Sequence, residues 1–92
     1  MLELAQLKSS FEKIDNAVCI TDDQYIILFI NQAFIEIEDI KHDIIGKSSL
    51  EIKNPRRYTV SSISENNETL FHLFIEKLHE DYTINLCTQS IN

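Results

Sequence analysis

Two apolar segments rich in β-branched residues, Ala17 to Thr21 and Tyr25 to Ile30, are separated by only Asp22-Asp23-Gln24. That spacing constrains the fold more than any other feature of the chain. Segments this short form strands more readily than helices. The linker is turn chemistry, because an Asp side chain bonds its own backbone two residues on. An antiparallel hairpin follows, with Tyr25 to Ile30 as a largely buried strand. Asn31 comes next and suits a helix N-cap, accepting from the exposed amides of the first turn. Ala33, Phe34 and Ile37 then line one side of a short helix, with Ile40 one turn on. A further helical turn is expected from Lys41 to Ile45, closed by Gly46, the only glycine.

Ahead of the hairpin, Leu4, Leu7, Phe11 and Ile14 recur at spacings of three, four and three, with Leu2 extending the stripe. This is the seam of an amphipathic helix over residues 1–14, broken by Asp15-Asn16. The seam suits two tasks equally: packing on its own domain, or against a second subunit. Two heptads are too few for an independent coiled coil.

The order of these elements carries a resemblance. The run Ile14-Asp15-Asn16-Ala17-Val18-Cys19-Ile20-Thr21-Asp22 resembles the opening strand of a PAS sensory domain. Ile26-Ile27-Leu28-Phe29-Ile30-Asn31-Gln32-Ala33-Phe34 is similar to the second strand and the Asn-x-Ala-Phe helix start of that family. Ile44-Ile45-Gly46-Lys47-Ser48 matches the Ile-Gly-Lys-Ser that follows. The match covers Phe11 to about Ile52. Two departures stand out: Gln24-Tyr25 where the first turn carries a glycine, and Glu38-Asp39 where many relatives have Thr-Gly. The resemblance implies an α+β fold over residues 15–92, with an antiparallel sheet, helices on one face and the N-terminal amphipathic helix outside it.

Residues Arg56 to Asn92 admit two readings. In one, Ser62-x-x-Glu65 is a capping box that opens a helix to about His79, and Leu70, Phe71, Phe74, Ile75 and Leu78 share its face. Tyr82 to Ser90 is then a strand, and the chain stops before the last two strands of the family. In the other, Arg57 to Ser64 and Thr69 to Lys77 are strands around Glu65-Asn66-Asn67-Glu68, and Tyr82 to Ser90 is a fifth strand. The capping box and the family spacing favour the helix; the β-formers Tyr58, Thr59, Val60 and Ile63 favour the hairpin. The two differ in the sign of one substitution. Asn67→Gly weakens a first helical turn but strengthens a two-residue hairpin turn, so the helix reading predicts a loss of stability.

Fifteen acidic residues oppose eight basic ones, for a net charge of −7, which disfavours duplex DNA as a partner. The longest apolar run is far short of the ~20 residues a membrane span needs, and no signal peptide is recognised. Cys19 and Cys87 lie in strand-like segments without Cys-x-x-Cys spacing, so buried free thiols in a reducing, cytoplasmic setting are expected. His42, His72 and His79 show no nucleophile–base or metal-ligand spacing, and His42-Asp43 reads as a solvated pair. Asp22 and Asn31 read as turn and cap rather than ligand contacts, and the aromatic residues Tyr25, Phe29, Phe34, Phe71 and Phe74 read as core.

PAS relatives can hold flavin, haem or small acids. The flavin-reactive Asn-Cys-Arg of the light-sensing subset corresponds to Asn54-Pro55-Arg56, where proline offers no thiol. Haem-binding relatives place an axial histidine on the long helix, which makes His72 the weak cofactor candidate; solvated helix histidines are far commoner. The expectation is therefore a non-catalytic sensory and signal-transduction module. It acts through ligand- or dimer-dependent packing changes on an appended output domain, such as a kinase, cyclase or DNA-binding domain. A ligand-free homodimerisation adaptor is the alternative, and a small standalone enzyme the remote one.

Overall fold

A computed structural model describes residues 3–77. The elements are α1 (Leu4–Phe11), β1 (Val18–Asp22), β2 (Ile27–Ile30), α2 (Gln32–Ile37), two 3-10 turns (Ser49–Glu51 and Pro55–Arg57), β3 (Tyr58–Glu65) and β4 (Glu68–Glu76). The strands form one four-stranded antiparallel sheet in the order β2-β1-β4-β3. The fold is α+β. None of the described helices is long and apolar enough to cross a membrane.

β1 is the centre of the molecule. It pairs with β2 through the expected hairpin and with β4 from Val18↔Ile75 to Asp22↔Phe71. Ala17, Val18, Cys19, Ile20 and Thr21 are fully buried, because both faces of the sheet are covered here. On the inner face, Ala17, Cys19, Ile27, Tyr58 and Phe74 pack with Phe34 of α2 and with Ile44 and Ile52. On the outer face, Leu7 of α1 packs with Val18 and Ile20, flanked by Leu4, Phe11, Phe29, Ile63, Phe71, Leu73 and Ile75. The middle of the N-terminal seam is thus consumed by its own sheet. The helix stops at Phe11, and Ile14 lies beyond it, 37% exposed.

Two expectations are corrected. From Ser62 to Lys77 the chain is not helical: β3 and β4 form a hairpin whose turn residues Asn66 and Asn67 have φ of 54° and 66°. Positive φ at both central residues is the turn whose twist matches paired strands. The apolar pattern was ambiguous because β4 is a central strand, with His72 and Phe74 buried on one face and Phe71, Leu73 and Ile75 packed on the other. Two apolar faces erase the alternation that marks a strand. Tyr82 to Ser90, His79 and Cys87 lie outside the described residues.

The second correction is that Lys41 to Ile45 forms no helical turn. Asp43 Oδ1 accepts from the Ile45 amide at 2.9 Å, a local bond that competes with helix. Gly46, at φ 88°, instead turns the chain so that its N–H reaches Ile27 O at 2.8 Å and Lys47 O accepts from Ile27 N at 2.8 Å. An added Cβ would meet nothing within 4 Å, so glycine is needed there for backbone conformation, not for space.

Candidate functional site

Asp22 closes β1, and its Oδ1 accepts from Gln24 N at 2.8 Å and Ile26 N at 2.9 Å. Tyr25 N donates to Asp22 O at 3.1 Å. These bonds hold Tyr25 at φ 65°, a conformation unusual for a bulky residue. Its carbonyl accepts from Ser49 N at 2.8 Å, tying the hairpin turn to the first 3-10 turn. The Tyr25 ring is thereby laid flat on His72 of β4, with centroids 3.9 Å apart and planes 2° from parallel, and meets Phe74 edge-on at 6.3 Å.

Beneath this turn opens a cleft of about 540 Å³. Phe74 and Val60 form its floor on the inner face of the sheet, and Tyr25, Leu50, Ile52 and Pro55 form its walls. Leu50 is 91% exposed, Val60 47% and Tyr25 43%. Three large apolar side chains facing solvent around one cleft are unusual for a surface with no partner. Polar groups at the rim are few: Gln24, Ser48 and Ser49. Such a cavity suits an apolar or aromatic group and orients it with few hydrogen bonds.

His72 is 7% exposed and lies on a strand, not on a helix. Its Nε2 is 3.3 Å from Asp23 O and its Nδ1 3.2 Å from Ser62 Oγ. A carbonyl only accepts, so Nε2 carries the proton and Nδ1 accepts from the Ser62 hydroxyl. Both ring nitrogens are engaged, which leaves neither turned to a metal. Among the described residues, no group of three or more His, Cys, Asp or Glu is placed to hold a metal ion. His42 and Asp43 are exposed on the loop that follows α2 and do not line the cleft.

Asn31 is 2% exposed and does more than cap α2. Its Oδ1 accepts from Phe34 N at 3.0 Å and Val18 N at 2.9 Å, and its Nδ2 donates to Phe11 O at 3.1 Å and Asn16 O at 2.9 Å. One side chain fastens α1, β1 and α2 together.

Sequence reasoning missed Glu38. It follows α2 and is 6% exposed. Its Oε2 accepts from the Tyr58 hydroxyl at 2.5 Å and from Arg57 Nη1 at 3.2 Å. Arg57 also donates to Ile37 O at 3.3 Å, so the start of β3 is pinned to the end of α2. Burial, the bond to Glu38 and its charge push the Tyr58 hydroxyl up, partly offset by Arg57. Burial, then the Glu38 charge, push the Cys19 thiol up to about 12, so this free cysteine stays protonated and inert. The available signal was the position of Glu38 four residues after Phe34, on the face of α2 that turns to the core.

Tyr25 is also corrected: it borders the cleft, while Phe34 and Phe74 are core as expected. The chain matches no family model, and no curated protein matches it.

Proposed function

We propose that the chain is a PAS-like, non-catalytic sensing module whose cleft receives a small apolar or aromatic ligand. The observation that carries this reading is the open apolar cleft on the inner face of the sheet, walled by Tyr25 and Leu50. Two backbone positions add support. Tyr25 and Asp39 have φ of 65° and 54°, and they stand at the two places where the PAS pattern carries glycine. This chain keeps the left-handed conformation that glycine favours while departing from the residue.

The packing suggests how occupancy would be transmitted. A ligand on Phe74 and Tyr25 bears on β4. The alternate residues of the same strand, Phe71, Leu73 and Ile75, pack in the outer cluster with α1. A shift of β4 therefore reaches the N-terminal helix, whose seam residues Leu4, Leu7 and Phe11 pack on the sheet, leaving its solvent face and the exposed Ile14 to meet whatever is attached. In this reading the output resides in an appended or partner signalling domain in the cytoplasm.

Native mass spectrometry of the chain, incubated with a panel of small aromatic and aliphatic compounds, tests it. One compound should be retained per chain, and Leu50→Glu should abolish retention while leaving the melting temperature unchanged. No retention across the panel, or retention unaffected by Leu50→Glu, contradicts the proposal.

A further inference from the structure

β3 is an edge strand, and among the described residues nothing pairs with its free side. Lys77 N donates to Arg57 O at 2.9 Å, which fixes the phase of the ladder with β4. Odd-numbered residues of β3 direct their N–H and C=O at β4, and even-numbered ones direct theirs away. Tyr58 N is taken by Pro55 O. The amides and carbonyls of Val60, Ser62 and Ser64 point outward, and all three residues are exposed.

Edges of this length ordinarily carry a lysine, a proline or a bulge that blocks further pairing. β3 reads Tyr-Thr-Val-Ser-Ser-Ile-Ser-Glu and has none of these. The irregularity between Ile63↔Phe71 and Ser64↔Thr69 places the extra residue, Leu70, on β4.

We propose that this edge docks β3 of a second copy of the chain, antiparallel and centred on Ser61, joining two four-stranded sheets into one. In that register Val60 lies opposite Ser62 of the second copy and Tyr58 opposite Ser64, so the outward-pointing residues meet one another. Thr59 and Ile63 meet on the outer face, and the exposed Val60 gains a neighbour on the inner face. The strand also has a polarity that selects this orientation. Arg57 is held by Glu38 of its own chain, but the exposed Arg56 precedes the strand and Glu65 ends it, so antiparallel pairing sets basic start beside acidic end at both ends of the new ladder. Parallel pairing would oppose like charges. The interface goes beyond the sensing reading and stands whether or not the cleft takes a ligand.

Sedimentation velocity and hydrogen exchange on the full chain test it. A monomer–dimer equilibrium is expected, with protection of the Val60, Ser62 and Ser64 amides rising with concentration. Ser64→Pro removes an outward donor without touching the β4 ladder and should weaken association at least tenfold. Should that variant fail to fold, a covalent probe replaces it. In a Cys87→Ser background, Ser61→Cys should cross-link to a dimer on mild oxidation, because directly opposed non-hydrogen-bonded residues lie within disulfide reach. Thr59→Cys should not. A monomer at every concentration overturns the proposal. So does a dimer that Ser61→Cys fails to cross-link, which places the interface elsewhere. Concentration-independent protection of these amides also overturns it, because the chain would then cover its own edge.

Discussion

Asn31 is the residue on which most of the fold converges, since its four hydrogen bonds join three elements. An exposed N-cap contributes about 1 kcal/mol. Here the loss strands buried partners as well, so Asn31→Ala should cost about 3 kcal/mol, read from chemical denaturation. Its capping role was legible from its place between Ile30 and the Ala33-Phe34 face. Its bonds to Phe11 and Asn16 were not, because they depend on where α1 comes to rest. Cys19 and Tyr58 make a second prediction. Both hold their protons more tightly folded than unfolded, so the stability they supply is complete below their unfolded values and falls as pH rises. For Cys19 the window runs from 9.0 to about 12. Thermal melts should decline above pH 9, and Tyr58→Phe should flatten the decline.

Among the elements, the two helix and hairpin ends are the sharpest tests. α2 ends with Asp39 N bonded to Glu36 O at 3.3 Å and Ile40 N to Ile35 O at 2.9 Å. That is the left-handed helix stop in which glycine is the favoured residue. Asp39→Gly should therefore stabilise the chain by about 0.5–1 kcal/mol, more than the loss of its exposed ion pair with Lys41 at 3.2 Å. The β3–β4 turn reverses the sign that the helix reading predicts for Asn67→Gly. With both turn residues at positive φ, the substitution should raise stability by about 0.5 kcal/mol, visible as a higher denaturation midpoint. The first hairpin was legible because its turn and its apolar runs agreed. The second was obscured by Ser62-x-x-Glu65, whose hydroxyl bonds the His72 ring across the sheet instead of capping a helix.

At the scale of the molecule, the sheet divides the chain into an outer face closed by α1 and an inner face closed only in part. The inner core at Phe34, Ile44 and Ile52 is buried beside α2 and the following loop, while the end beneath Tyr25 opens into the apolar cleft. This asymmetry was not legible from composition or periodicity. It arises from a left-handed tyrosine, a 3-10 turn and the second hairpin meeting at one place, a contact among distant segments. The sensing reading rests on that opening. The most direct test is a nitrogen-15 NMR titration of the chain with 1-anilinonaphthalene-8-sulfonate, whose aromatic rings enter apolar clefts while its sulfonate stays in water. A ligand-receiving cleft gives saturable shifts centred on Tyr25, Leu50, Val60 and Phe74, with smaller ones along β4 and into α1, all lost in Leu50→Glu. Shifts scattered over the surface, or unchanged in Leu50→Glu, would contradict it.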